Sequence, residues 1–274
     1  MNTSKVPLHN SKHHNIGLGR NSSLLDVDRA SKRFGGIQAL NDVTFSIEQG
    51  SIISMIGPNG AGKTTFINVV TGIYAPDIGQ VCFQGQDITG LPAHSIAYLG
   101  IGRTFQLEEL FPSLTVLENA MVGCHTRSRC GMFSSGLRLL SAKTEEQRIR
   151  EEAMENLKMI GLEHKASDSV SSLPLGERKL IGIARALGIQ PKLLMLDEPV
   201  GGLAAHEIEK LVKVIDILVN KGLTLFIVEH NMPFVMSVSE RVIVLDGGRK
   251  IVEGPPHEVK TNERVIKAYL GEEV

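Results

Sequence analysis

Cysteine is scarce in this chain. Three in 274 residues, Cys82, Cys124 and Cys130, fall far short of a disulfide framework and fit a reducing compartment. Cys124 and Cys130 flank the neighbourhood of His125 without a C-x-x-C spacing, so they read as ordinary thiols rather than metal ligands. No run of about eighteen apolar residues occurs, which excludes a membrane-spanning helix. Residues 1–23 lack the apolar core of a signal peptide and read as a disordered polar extension. Excess charge of one sign is missing too. A net charge of −1 argues against a nucleic-acid partner and against a basic membrane-surface patch.

What is present is enough chain for a full α/β core, since a domain of this size buries roughly three quarters of its unfolded surface. Residues 57–65 read GPNGAGKTT, with Gly57, Gly62, Lys63 and Thr64 in the pattern G-x-x-x-x-G-K-[ST]. The apolar run SIISMI (51–56) predicts a buried strand before it, and TTFINVV (64–70) a helix after it. In that context Gly57, Pro58, Asn59, Gly60, Ala61 and Gly62 form a loop whose backbone N–H groups converge on an anion, helped by the helix dipole. Lys63 would meet phosphate charge, and Thr64 and Thr65 open the helix, Thr64 offering its hydroxyl to Mg²⁺.

The rest of the chain is read by periodicity. LLDV (24–27), VTFSI (43–47), SIISMI and VCFQG (81–85) predict short strands, and their close spacing predicts antiparallel pairing. Residues 107–172 predict an inserted helical subdomain, with helices over 113–124 and 143–162 and a loop with a short helix over 126–142. Ile149, Ala153, Leu157 and Ile160 share one face of the second helix. Then the α/β pattern resumes: helix 176–189, strand 193–196, helix 206–222 with a stripe of Ile208, Leu211, Ile215 and Leu218, and strand 223–228. Alternating strands and helices imply a parallel sheet covered on both faces. A hairpin over 242–254 and a helix over 262–271 end the chain.

Four further pieces carry chemistry. LLMLDEP (193–199) ends a strand in two carboxylates, Asp197 suited to Mg²⁺ and Glu198 to polarising an attacking water. RTFQ (103–106) places Gln106 at the joint between core and insertion. His230 follows the strand LTLFIV, at the carboxyl end where open α/β sheets bind ligands. Gly176, in LPLGERKLIGIARAL (173–187), opens a second helix N-terminus suited to an anion. Phe34, upstream of the loop, could stack on a base or sit in the core.

In this order the pieces resemble the nucleotide-binding domain of ABC transporters, from Leu24 to Glu273. Residues 31–72, 103–123 and the tail NERVIKAYLG narrow the likeness to LivG-like ATP-binding subunits of branched-chain amino-acid importers. The resemblance implies an ABC ATPase domain over 24–248, with a family-specific C-terminal segment over 249–274. It implies ATP and Mg²⁺, the metal at Thr64, Gln106 and Asp197. Phe34 would stack on adenine, Glu198 would act as general base with His230 and Gln106 beside it, and Leu175, Gly176 and Glu177 would face a partner's ATP. It implies a second nucleotide-binding subunit and permease subunits at the cytoplasmic face of the membrane, and a solute-binding protein upstream. Urea or amide uptake is the alternative substrate reading. A soluble ABC ATPase is a second class, but it would bring two cassettes, a coiled coil or zinc ligands. Pro174 and Glu177 depart from the LSGGQ-like signature, and Ala204 stands where many relatives have Asp or Asn. The amides of Leu175 and Gly176 are expected to remain open to the partner's nucleotide.

Overall fold

A computed structural model describes residues 23–104, 110–126 and 139–270, the side chains of 139–143 and 270 excepted. Two sheets organise it. The smaller is antiparallel, in the order β2-β1-β4-β5. It pairs β1 (Ser23–Phe34) with β2 (Ile37–Glu48) on one edge and β4 (Ile78–Phe83) on the other, and β5 (Gln86–Asp87) closes it. β1 and β2 run well past their apolar stretches, because polar residues continue the ladder across the turn at Gly35-Gly36.

The larger sheet has the order β10-β9-β3-β8-β7-β6. Its strands are β3 (Ile52–Ile56), β6 (Ile101–Arg103), β7 (Leu193–Asp197), β8 (Thr224–Val228), β9 (Arg241–Asp246) and β10 (Arg249–Gly254). All are parallel except β10, which returns as the expected hairpin on β9. The antiparallel expectation for SIISMI is therefore corrected: β3 lies at the centre of the parallel sheet, between β8 and β9. All five of its residues are buried, and a strand buried on both faces belongs there rather than on a half-exposed antiparallel sheet.

The period of two sorts the strand residues into separate cores. Ile52, Ile56, Leu194, Leu196, Leu225 and Ile227 pack toward α3 (Val116–His125), α4 (Leu139–Met159), α5 (Leu175–Leu187) and α6 (Ala205–Asn220). Ile53, Met55, Leu193, Met195, Phe226 and Val228 pack toward α1 (Lys63–Val70), α2 (Ala93–Leu99) and the antiparallel sheet. On that second side Phe66 lies 5.1 Å from Phe45 and 5.4 Å from Phe226, centroid to centroid. So one face is covered by helices as expected, and the other mostly by a second sheet.

The predicted stripes hold: Ile149, Ala153, Leu157 and Ile160 are buried, as are Leu211, Ile215 and Leu218, with Ile208 packed beside them. α3 starts three residues later than expected. Thr115 Oγ1 accepts from the amide of Glu118 at 3.2 Å, and Glu118 Oε2 accepts from the amide of Thr115 at 2.8 Å. That reciprocal cap fixes the first turn at Val116. Of the expected loop over 126–142, residues 127–138 lie outside the described residues and 139–142 belong to α4. α7 (Met232–Val238), α8 (Pro256–Thr261) and α9 (Glu263–Leu270) complete the chain. No described helix is long and apolar enough to cross a membrane.

Candidate functional site

The loop 57–62 joins β3 to α1. Gly62 is the N-cap of α1 at φ 102°, and a Cβ there would stand 2.3 Å from the carbonyl oxygen of Ala39. Only glycine fits so close an approach at that φ. Gly57 and Ala61 are buried, while Asn59 and Gly60 are exposed. No side chain caps α1, and no acidic residue lies in its first turn. Its N-terminal amides and the positive end of its dipole are thus uncapped by any side chain of the helix itself. Lys63 is buried and donates from Nζ to the carbonyls of Gly57, at 2.7 Å, and Pro58, at 2.9 Å. Burial lowers its pKa, and the charges of Glu198, Asp197 and Glu229 oppose the shift.

Those carboxylates sit at the carboxyl ends of β7 and β8. Asp197 is the last residue of β7, and its Oδ2 lies 2.9 Å from a terminal nitrogen of Arg103 on β6. Both side chains are under a tenth exposed. Arg103 also donates to Asn68 Oδ1 at 2.6 Å and to Thr71 Oγ1 at 3.3 Å, tying β7 and β6 to the helix of the phosphate loop. Glu198 follows at φ 47°, a left-handed conformation that costs free energy for a residue with a Cβ and recurs at functional sites. Its amide donates to Val228 O on β8. Its Oε1 lies 3.8 Å from Nδ1 of His230.

Glu229 is one residue whose role the sequence does not announce. It is fully buried, and one oxygen accepts from the amides of His230 at 2.8 Å and Asn231 at 3.0 Å. The other accepts from the amide of Val200 at 2.9 Å. A single carboxylate thereby fixes the backbone under His230 and the turn after Glu198. The available signal was a carboxylate directly after a buried five-residue strand.

The remaining predicted residues divide. Phe34 is 41% exposed at the end of β1, which removes the core option. Tyr74 meets its ring at 5.1 Å and 71°, and Lys32 Nζ lies 5.6 Å from its centroid. Gln106 lies outside the described residues. Leu175 opens α5 after the N-cap Pro174. The expectation for Gly176 needs correction: its amide donates to Glu207 Oε1 at 3.1 Å within the chain. Glu207 stands in the first turn of α6, where its other oxygen caps the amide of Ala204 at 2.9 Å. The Glu177 carboxylate is held by Lys165 Nζ at 2.6 and 2.7 Å.

A magnesium ion fits these residues in one way. No three Asp, Glu, His or Cys side chains converge on a metal position among the described residues. Mg²⁺ needs no such cage, taking one or two protein oxygens with water and phosphate oxygens. Asp197 at a strand end and the exposed Thr64 in the first turn of α1 supply that partial donor set.

Beyond the loop, a cavity of about 540 Å³ lies between α2, β6 and α3, lined by His94, Ala97, Arg103, Phe111, Val122 and Thr126 among others.

Comparison with known proteins places these features. A family model described as ABC transporter matches residues 40–201, and one described as branched-chain amino acid ATP-binding cassette transporter matches 249–274. The high-affinity branched-chain amino acid transport ATP-binding protein LivG of Escherichia coli is 40% identical over 91% of this chain and 98% of its own. BraF of Pseudomonas aeruginosa, named for the same transport role, is 38% identical over the same shares. Among solved structures, the ADP conformation of MJ1267, an ATP-binding cassette of an ABC transporter, is 33% identical with a TM-score of 0.79. It is matched over 91% of this chain and 99% of its own.

Proposed function

This chain belongs to the ABC transporter family as an ATP-binding subunit, and from that premise we propose that it hydrolyses Mg-ATP to drive import of branched-chain or similar hydrophobic amino acids. The observation that carries the reading is the convergence of Lys63, Asp197, Glu198 and His230 at the carboxyl ends of β3, β7 and β8. The C-terminal match over 249–274 and the names of the relatives favour the substrate class over urea or amides.

In this reading residues 57–65 wrap the phosphates and Phe34 stacks on adenine. Phosphate oxygens replace the carbonyls of Gly57 and Pro58 as acceptors for Lys63. Thr64, Gln106 and Asp197 would hold Mg²⁺, which neutralises charge on the phosphates when bound. Glu198 takes the proton from an attacking water. The water oxygen bonds to the γ-phosphorus as the bond to the bridging oxygen breaks, releasing ADP and phosphate. His230, its backbone fixed by Glu229, contacts the γ-phosphate.

The working unit is a pair of such subunits, each presenting the start of α5, at Leu175 and Glu177, to the other's ATP, while the Gly176 amide stays with Glu207. A solved cassette structure, MJ0796, 29% identical with a TM-score of 0.72, is dimeric by its description. The ATPase domain spans 24–248. The pair docks on permease subunits at the cytoplasmic face of the membrane, supplied by a solute-binding protein. A cytoplasmic helix of the permease would dock at the cavity beside Phe111.

Steady-state ATPase and equilibrium ATP binding test this. Glu198→Gln is expected to keep ATP bound while hydrolysis falls by roughly two to four orders of magnitude, the scale of a lost general base. Lys63→Ala should weaken binding itself. A wild-type rate in Glu198→Gln overturns the assignment. For docking, Phe111→Cys should crosslink to the co-expressed permease, and crosslinks confined to the C-terminal face would contradict the placement.

A further inference from the structure

α5 begins with the residues proposed to face the neighbour's ATP. One turn on, about 6 Å along the axis, stands Lys179. Its half-buried Nζ donates to the carbonyl oxygen of Glu198 at 2.7 Å. Burial depresses its pKa, and the charges of Glu229 and then Glu198 oppose the shift.

The acceptor is not an ordinary carbonyl. Glu198 is held at φ 47°, and such a backbone persists only where its surroundings over-determine it. Val228 O fixes its amide. Lys179 fixes its carbonyl, shared with the amide of Gly201 at 3.3 Å. The segment that follows is fastened to the same helix at its other end, where Glu207 accepts from the amide of Gly176. Residues 198–207 are therefore clasped to α5 twice, by a lysine from the helix and a glutamate returned to it.

We infer that Lys179 is a positioning residue for Glu198, and that α5 links the neighbour's nucleotide to this chain's own general base. A shift of α5 on meeting ATP across the dimer moves the Glu198 peptide, and with it the carboxylate that must face water. This rests on the reading of Glu198 as base and of Leu175–Glu177 as the surface facing the second subunit.

The test uses the full chain in its transporter complex. Lys179→Met keeps the length of the side chain without a donor, and Lys179→Arg restores one; Lys179→Gln serves if the Met variant does not fold. For Lys179→Met, kcat is expected to fall about ten- to hundredfold, the scale of a lost charge-assisted hydrogen bond, with KM for ATP unchanged. Lys179→Arg should recover most of the rate. In a Glu198→Gln background Lys179→Met should lower the residual rate no further, because both act through one carboxylate. Wild-type kcat in Lys179→Met overturns the inference, as does an equal fractional loss in both backgrounds, which is what general loosening would give. If Glu198→Gln itself hydrolyses ATP normally, the reading of the site fails first, whatever Lys179 does.

Discussion

Arg103 and Asp197 are 94 positions apart, and their contact exists because β6 and β7 pair in register, Arg103 opposite Met195. RTFQ draws the eye to its glutamine, but among the described residues its arginine holds the Asp197 carboxylate and its threonine accepts from the Asp197 amide at 3.3 Å. Two charges with so little exposure stabilise each other while both are present. Removing Arg103 leaves the buried Asp197 carboxylate without its 2.9 Å partner, with the charge of Lys63 the remaining attraction. Arg103→Met is therefore expected to cost about 3–5 kcal/mol in urea unfolding, and Arg103→Met with Asp197→Asn much less than the sum of the two single changes. Lys63, Asp197, Glu198 and His230 were legible because each ends or follows a recognisable apolar strand or loop. Arg103 and Glu229 were not, since their roles depend on partners that only the folded sheet brings near. Glu207 shows the same limit: nothing in GGLAAHE announces that its glutamate caps the amide of Gly176.

At the scale of elements, long periodic helices and short, wholly apolar strands such as β3, β7 and β8 were readable, and short elements of mixed composition were not. α2 and β6 lack enough residues to display a period, and they emerge only because neighbouring strands give them a place. The capping box of α3 was written as TVLE and still moved the helix start, since caps rather than apolar runs set boundaries. Gly123 lies inside α3. It marks the crossing with α5: a Cβ there would stand 1.8 Å from the carbonyl oxygen of Arg185. Gly123→Ala must push the two helices apart. It should destabilise the chain by about 1–3 kcal/mol, the range for overpacking, read as a lowered thermal midpoint.

For the whole molecule, the parallel sheet is a wall with a different core on each side. Leu211 on α6 belongs to one core and Ile67 on α1 to the other. Leu211→Ala and Ile67→Ala should each cost about 2–5 kcal/mol and combine additively to within roughly 0.5 kcal/mol. Phe45→Leu and Phe66→Leu, whose rings lie 5.1 Å apart in one core, should not add. Coupling across the wall in the first pair would show that the cores are one.

That wall also bears on descent. Substitutions that reshape α3 or α6 leave Ile53, Phe66 and Ile67 among the neighbours they already have. Changes on the helical side can therefore accumulate without repacking the layer beneath the phosphate loop.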